Sequence, residues 1–182
     1  MGKTEKLVRR AQQGEKDAFV ELMEESKLSM SRTALAILHG EEDAADAISE
    51  TVLTAFARIC DLRHPQYFKT WLIRILIYNC YEILRQQRRI VPLEEISESA
   101  WGFDPTGEYD NVIDIQASFR ELAENDRLIL TLFYMEDLSV KEIAQLLNLR
   151  ENAVKTRLTR SRNRFRRTYQ EREEERHEAC HG

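Results

Sequence analysis

The sequence lacks the features that would mark a redox protein, a secreted protein or a membrane protein. It has three cysteines, Cys60, Cys80 and Cys180, an odd and scattered set without the Cys-x-x-Cys pair of a redox centre or a zinc site. We expect Cys60 and Cys80 to be small core residues. No stretch approaches the roughly 18 consecutive apolar residues of a membrane span, and charged residues stand where a signal peptide would be apolar. These absences predict a cytoplasmic protein with no direct membrane insertion.

Residue patterns for catalysis are also missing. The four histidines are scattered without a motif, and the chain has no glycine-rich phosphate loop. We therefore predict that the protein is not an enzyme and uses no catalytic residue, cofactor or metal. The charged end of the chain does place His177, Cys180 and His181 close together, but no fourth ligand is evident, so we interpret this end as a disordered, solvated tail.

Helix breakers cluster in one part of the chain. Two of the three prolines and two of the six glycines lie between residues 92 and 113, where six acidic residues face no lysine or arginine. The flanking segments repeat apolar residues at spacings of three and four, and no alternating run rich in Val, Ile and Thr predicts a strand. The sequence therefore predicts an all-α fold of two small helical domains joined by an acidic flexible linker. The predicted boundaries are 5–91 for the first domain, 92–113 for the linker, 114–169 for the second domain and 170–182 for the tail.

The second domain contains a helix-turn-helix pattern. Ser139 and Glu142 have the spacing of a capping box, which predicts that a short helix starts at Ser139. Asn148 stands where the chain must turn, and asparagine tolerates the left-handed conformation that ends a helix. A second helix begins near Arg150. In a helix-turn-helix, this second helix enters the major groove of DNA.

The second helix of this motif has a packing face and a polar, basic face, as helical periodicity shows. The packing face consists of Val154, Leu158, Ser161 and Phe165. The opposite face presents Asn152, Thr156, Thr159 and Asn163, with Lys155 and Arg160 beside them. Arginine and lysine donate to guanine or to phosphate, asparagine pairs with adenine, and a threonine methyl group contacts thymine.

The local charge of this helix favours nucleic acid although the whole chain is acidic. Residues 150–167 carry eight basic side chains and one acid, a local charge of +7 (eight minus one), whereas the chain has a formal net charge of -5. Because the Debye length is about 8 Å at physiological salt, a nearby phosphate responds to the local charge and hardly to distant acids. The alternative is a solvated amphipathic helix. The agreement of turn, cap and face separation favours DNA binding.

A helix predicted over residues 68–89 combines exposed aromatic and basic residues. Its apolar side consists of Leu72, Leu76, Cys80 and Ile83, and its opposite side consists of Arg74, Tyr78, Tyr81, Arg85 and Arg88. Such a stripe suits single-stranded nucleic acid, because unstacked bases stack on rings while cations follow the backbone. Tyr67, Phe68 and Trp71 at the start of the helix offer further stacking surfaces, with core packing as the alternative for Phe68 and Trp71.

An acidic helix is predicted over residues 43–60, with Asp43 placed to cap it. Its buried side consists of Ile48, Val52, Ala55 and Ile59, and its outer side of Asp46, Glu50, Leu53 and Ala57. An acidic face with an outward leucine suits a basic, partly apolar protein partner and is poor for DNA. An ordinary solvated face is the alternative.

Three segments of the sequence, taken together, resemble one family. They are DAADAISETVLTAFARI, FKTWLIRILIYNCYEILRQQRR and DLSVKEIAQLLNLRENAVKTRLTRSRNRFRR, in this order, with the acidic linker before the third. This arrangement resembles the two-domain extracytoplasmic-function (ECF, group 4) sigma factors of bacterial RNA polymerase. The resemblance covers about residues 5–168. It implies a sigma-2-like first domain, a sigma-4-like helix-turn-helix second domain, and a linker that threads toward the RNA exit path.

The resemblance also implies a role for individual residues. The outer face of the acidic helix would bind the β′ clamp helices of core polymerase through Asp46, Ser49, Glu50 and Leu53. The first domain would melt and read the minus-10 element through Tyr67, Phe68, Arg74, Tyr78, Asn79, Tyr81, Arg85 and Arg88. The second domain would read the minus-35 duplex through Arg150, Asn152, Lys155, Thr156, Arg157, Thr159 and Arg160.

Three partners follow from the resemblance: core RNA polymerase at its β′ clamp helices and β flap, promoter DNA, and an anti-sigma factor, which in the most similar subgroup is membrane-bound.

Some residues depart from the family pattern. Ser49 stands where Gln is common, Arg150 replaces the usual Ser or Pro, and Tyr78 occupies the usual position of an Asn, with Asn79 displaced to the next position.

A stand-alone helix-turn-helix regulator is the main alternative function. Such a protein binds duplex DNA as a symmetric dimer, but this sequence offers no obvious dimer helix and would leave its aromatic and basic stripe unused.

Overall fold

Helices form all of the regular secondary structure in the described part of the chain, so the predicted all-α fold is confirmed. The structure is a computed structural model that describes the backbone of residues 2–90 and 110–179 and the side chains of residues 2–87 and 115–174. The chain divides into two compact units, residues 1–101 and 102–182.

The described part of the N-terminal unit contains four α-helices. They are α1 (Lys3–Gln12), α2 (Lys16–Ile37), α3 (Glu41–Arg58) and α4 (Phe68–Ile90). Gly14 has a φ of 92°, a conformation that glycine adopts without strain, and this allows the tight reversal between α1 and α2. Two single-turn 3-10 helices, Ile59–Asp61 and Pro65–Tyr67, connect α3 to α4.

Helix α4 forms the centre of this unit, because it contacts α1, α2 and α3. Its residues Leu72, Leu76 and Cys80 are buried as predicted, and Ile83 is half-buried. Ile73 and Ile77 are buried as well, so the apolar stripe is wider than a single line of residues. Such a stripe allows α4 to contact several neighbouring helices at once.

Helix α3 begins two residues earlier than predicted. Gly40 is its N-cap and contributes no side-chain bond, so the predicted cap at Asp43 is wrong. Asp43 instead lies in the first helical turn, where a negative charge is favourable, and its carboxylate accepts a hydrogen bond from Gln87 Nε2 at 2.9 Å. Small residues dominate the buried side of α3, namely Ala44, Ala47, Thr51 and Ala55, whereas Ile48 and Val52 are only half-buried.

The two cysteines of this unit differ in environment. Cys80 is buried in α4 as predicted, but Cys60 is exposed, so its assignment to the core was wrong. The residue before it, Ile59, takes the core position. The chain leaves α3 through a 3-10 turn at this point, in which Ile59 is buried and Cys60 is exposed.

Residues 110–179 of the C-terminal unit contain four further α-helices. They are α5 (Asp110–Arg120), α6 (Glu124–Leu130), α7 (Val140–Leu146) and α8 (Glu151–Ala179), with a π-helical turn at Thr131–Met135. Helix α8 contacts α5, α6 and α7 and is therefore the centre of this unit.

Two predicted boundaries differ from the structure. Helix α5 begins at Asp110, inside the predicted linker, and the rest of that linker, residues 92–109, lies outside the described residues. Helix α8 continues to Ala179, so the predicted disordered tail is largely helical. One contact is local, since Tyr169 stacks on Phe165 one turn earlier in α8 at a centroid separation of 6.4 Å. The other is tertiary, since Arg172 forms an ion pair with Glu121, which follows α5. The three candidate metal ligands of the tail lie outside the described side chains.

A buried arginine closes the end of α5. Arg127 Nη1 donates to the carbonyl of Leu122 at 2.7 Å and to that of Arg120 at 3.2 Å, which satisfies acceptors left free where a helix ends. Burial lowers the pKa of the Arg127 guanidinium from its ordinary value, and the nearby charge of Glu124 partly opposes this change. An arginine guanidinium stays charged in proteins, so the two carbonyls accept charge-assisted hydrogen bonds.

Replacing Phe68 by alanine tests the core of the N-terminal unit. Phe68 is 2% exposed, and we expect Phe68→Ala to lower the free energy of unfolding by about 3 to 5 kcal/mol, because it leaves a large cavity. Urea denaturation followed by circular dichroism measures the change. The control is Tyr67→Ala, which removes an aromatic ring that is 56% exposed and should cost less than about 1 kcal/mol. Similar losses for both variants would contradict the core assignment of Phe68.

Candidate nucleic-acid interface

The turn between α7 and α8 has the predicted geometry. Ser139 Oγ accepts from the backbone N–H of Glu142 at 3.2 Å, and Glu142 Oε2 accepts from the backbone N–H of Ser139 at 2.9 Å. Asn148 has a φ of 53°, the left-handed conformation predicted for it. The N–H of Leu149 then donates to the carbonyl of Ala144 at 2.8 Å. The helix-turn-helix in α7 and α8 is therefore confirmed.

The inner face of α8 is held by apolar contacts and by one buried carboxylate. Val154, Leu158 and Ser161 are buried, as predicted, and Phe165 is half-buried. Asp126 of α6 is 7% exposed and accepts two hydrogen bonds of 2.5 Å, one from Ser161 Oγ and one from Arg164 Nη1. Because one carboxylate holds two side chains three residues apart, it fixes the rotation of α8 about its own axis as well as its position.

Every residue assigned to minus-35 recognition is exposed, on the outer face of α8 or, for Arg150, just before this helix. These residues are Arg150, Asn152, Lys155, Thr156, Arg157, Thr159 and Arg160. Among the described residues, no ion pair neutralises the charges of Lys155, Arg157 and Arg160. The face therefore presents uncompensated positive charge at the position where a helix-turn-helix meets the major groove.

The two threonines of this face use their hydroxyl protons within the helix. Thr156 Oγ1 donates to the carbonyl of Asn152 at 2.9 Å, and Thr159 Oγ1 donates to the carbonyl of Lys155 at 3.1 Å. A threonine bonded in this way offers a partner its methyl group and the free lone pairs of its oxygen, but no proton. Contact with a thymine methyl group is the readout that suits such a threonine.

Other basic residues of α8 have partners inside the C-terminal unit. The guanidinium of Arg162 lies 5.7 Å from the ring centroid of Phe133 and 5.8 Å from that of Tyr134, which is cation–π geometry. Arg164 is paired with Asp126, and Arg167 lies 3.8 Å from Glu171. A count of charges along the sequence treats all the basic residues alike, whereas the structure divides them between the outer face and internal contacts.

Helix α4 exposes much of its predicted aromatic and basic stripe. Tyr78 is 61% exposed, Arg74 and Arg85 are exposed, and Tyr81 is half-buried. Arg85 forms an ion pair with Glu82, which reduces its free charge. Tyr67 is exposed just before the helix. Arg88 lies in α4, but its side chain is outside the described residues, so its contact with DNA stays a prediction.

Two residues assigned to the minus-10 face lie in the core, and for them the prediction is wrong. Phe68 is 2% exposed and packs beside Trp71, with ring centroids 6.0 Å apart. Asn79 is 8% exposed, and its Nδ2 donates to Thr51 Oγ1 of α3 at 3.0 Å. One helical position turns a side chain by about 100°, so Tyr78 faces outward while the displaced asparagine faces α3.

The acidic face of α3 is exposed at all four predicted positions, Asp46, Ser49, Glu50 and Leu53. Leu53 is 65% exposed, and the hydroxyl of Ser49 donates to the carbonyl of Ala45 at 2.8 Å. The structure adds Phe56, which is 55% exposed although its ring meets that of Phe19 edge-on at 5.2 Å. The sequence held a signal for Phe56, since it follows Leu53 by three positions and shares its side of the helix.

Within the described residues, no helix is both long and apolar enough to span a membrane, and no group of three or more histidine, cysteine, aspartate or glutamate side chains is arranged to hold a metal ion.

Comparison with known families matches both units. Residues 22–90 match Sigma-70 region 2, and residues 113–165 match Sigma-70, region 4. The chain is 27% identical over 146 residues to the RNA polymerase sigma factor SigV of Bacillus subtilis, covering 80% of this chain and 87% of SigV. It is 28% identical over 154 residues to the ECF RNA polymerase sigma factor SigM of Mycobacterium tuberculosis, covering 84% of this chain and 77% of SigM.

A solved structure supports the fold. The sigma factor RpoE of Bartonella quintana, in a co-crystal with the anti-sigma factor NepR, aligns with a TM-score of 0.68 and 21% identity over 82% of this chain and 97% of RpoE. The regions matched, their order and the curated relatives agree with the helix-turn-helix and the four-helix unit described above. The chain therefore belongs to the sigma-70 family, among its ECF RNA polymerase sigma factors.

Proposed function

We propose that this chain binds core RNA polymerase as its promoter-specificity subunit and directs transcription initiation in the cytoplasm. It supplies binding energy for recognition and strand opening, has no catalytic activity of its own, and leaves RNA synthesis to the polymerase. The observation that carries the proposal is the outer face of α8, where Lys155, Arg157 and Arg160 are exposed and without an ion-pair partner among the described residues, on a helix-turn-helix.

The C-terminal unit recognises the minus-35 element as a duplex in this proposal. Lys155 and Arg160 donate to base edges or phosphates, Asn152 bonds to a base, and the methyl groups of Thr156 and Thr159 contact thymine. The tie between Asp126 and α8 supports this role, because it presents the outer face in one orientation.

The N-terminal unit binds the melted minus-10 element. The exposed ring of Tyr78 stacks on an unpaired base, Arg74 and Arg85 follow the phosphates, and Tyr67 with the preceding loop receives a base that has left the duplex. Phe68 and Asn79 support this surface from within the core and do not contact DNA.

The acidic face of α3 binds the β′ clamp helices. Asp46 and Glu50 provide complementary charge for a basic partner, while Leu53 and Phe56 provide apolar area that binding removes from water. The β flap is the second polymerase contact that we propose, through the C-terminal unit, where Tyr134 and Met135 are exposed apolar residues.

An anti-sigma factor regulates the chain in this proposal. The Bartonella quintana relative was crystallised with such a partner, the anti-sigma factor NepR. A protein that covers Leu53 and Phe56 would compete directly with polymerase, and anchoring that protein in the membrane would link promoter use to an external signal. The alternative function, a dimeric helix-turn-helix regulator acting without polymerase, would leave the exposed face of α3 without a role.

Alanine substitutions at Lys155 and Arg160 test the recognition face. We expect each to weaken binding to a mapped minus-35 duplex by about 1 to 3 kcal/mol if the side chain reads a base, and to weaken all duplexes alike if it contacts phosphate. Fluorescence anisotropy with matched and scrambled duplexes separates the two cases. Arg162→Ala is the control, because it removes the same charge from a side chain whose guanidinium lies over the rings of Phe133 and Tyr134, and it should keep the preference for the matched duplex. Unchanged binding by both recognition-face variants would contradict the assignment.

Charge reversal on α3 tests the polymerase contact. We expect Asp46→Lys or Glu50→Lys to weaken core polymerase binding by about tenfold at low salt, because each places a positive charge against a basic partner. Binding of the minus-35 duplex should not change. The matched control is Glu24→Lys, which reverses an exposed acid on α2. Equal polymerase affinity of the wild-type chain and both α3 variants would refute the proposed contact.

A further inference from the structure

The side chain of Gln12 joins the loop between α3 and α4 to α1 by two hydrogen bonds. Gln12, the last residue of α1, donates from Nε2 to the carbonyl oxygen of Ile59 at 2.9 Å and to that of Leu62 at 2.8 Å. The backbone carbonyl of Gln12 accepts from Cys60 Sγ at 3.8 Å. One residue of α1 therefore bonds to both ends of the turn that starts this loop. The Leu62 carbonyl lies 50 residues further along the chain than Gln12, so this contact depends on the tertiary fold and not on local conformational preference.

The two hydrogen bonds hold the 3-10 turn that follows α3. The Ile59 carbonyl also accepts from the backbone N–H of Leu62 at 3.2 Å, so Gln12 adds a second hydrogen bond to it. The carboxamide of Gln12 has two N–H donors on one nitrogen, so it bonds the Leu62 carbonyl as well and spans the turn between the two carbonyls.

The remainder of the loop has buried residues that pack into the N-terminal unit and exposed residues that face solvent. Leu62 and Pro65 are buried, and Phe68 is buried at the start of α4. His64 and Tyr67 are exposed, with their rings edge-on at a centroid distance of 6.1 Å. Buried residues thus alternate with exposed ones, and fixing the turn at residues 59–62 fixes the place from which the exposed side chains project.

We infer that Gln12 is a positioning residue for base capture, holding the loop in its binding conformation before DNA arrives. The inference rests on the proposed minus-10 function of this loop. A loop ordered in advance does not lose conformational freedom when the base binds, so the affinity is higher than for a loop that must become ordered. Gln12 itself lies on the α1 side of the loop and does not contact DNA.

Replacing Gln12 by leucine removes both donors and keeps a side chain of similar size. The probes are a single-stranded nontemplate oligonucleotide spanning a mapped minus-10 element and the same oligonucleotide with one abasic position, at the base that leaves the stack. Holoenzyme assembled from the full chain and core polymerase is titrated with each probe, and the dissociation constants are compared. The matched control is Gln13→Leu, the same change at the next position, where the side chain is exposed.

We expect Gln12→Leu to weaken binding of the intact oligonucleotide by about tenfold, in the range for losing two hydrogen bonds, with a much smaller effect on the abasic probe. Core polymerase affinity and Gln13→Leu binding should match those of the wild-type chain. Gln12→Met, whose unbranched side chain fits irregular space, replaces the leucine variant if thermal unfolding shows that Gln12→Leu does not fold.

Two results would overturn the inference: unchanged affinity for the intact probe, or equal weakening for both probes, which would indicate a general structural role. A different result marks failure of the proposed function. If the wild-type holoenzyme binds the intact and abasic probes equally, this loop captures no base, and the positioning role is refuted with it.

Discussion

Each unit of this protein depends on one long helix that must bury a stripe of its surface. In the N-terminal unit the stripe of α4 includes Leu72 and Leu76, and in the C-terminal unit that of α8 includes Val154 and Leu158. Burial of these residues stabilises the unit and at the same time fixes how the helix is rotated. The opposite face of the same helix is then presented to solvent. The packing of the core therefore also determines how the residues that we propose for DNA binding are displayed.

Apolar burial is not directional, and hydrogen bonds supply the missing precision. Asp126 ties two side chains of α8, Asn79 ties α4 to α3, and Gln12 ties α1 to the loop before α4. Each tie joins segments far apart in sequence and lies close to a face assigned to DNA or polymerase. A buried polar group is favourable only when it has a hydrogen-bond partner. Because these hydrogen bonds form in only one packing of the helices, they also favour that packing over alternatives.

Features set by neighbouring residues could be predicted from the sequence, and those set by distant residues could not. The capping box at Ser139 and the turn at Asn148 depend on a few adjacent positions, and both were confirmed. Burial of Phe68 and Asn79 depends on helices elsewhere in the unit, so the resemblance that assigned both to the minus-10 face did not predict it. The helical tail was missed for the same reason, because the partner of Arg172 lies in the segment after α5.

The central claim, that this chain directs core polymerase to promoters, is tested most directly by transcription in a purified system. Core bacterial RNA polymerase would transcribe fragmented genomic DNA from the source organism with and without the chain, and sequencing of RNA 5′ ends would map the starts. The account predicts starts that require the chain and share two motifs about two helical turns apart, roughly 20 base pairs. Absence of new starts, together with failure of the chain to co-migrate with core polymerase, would contradict it.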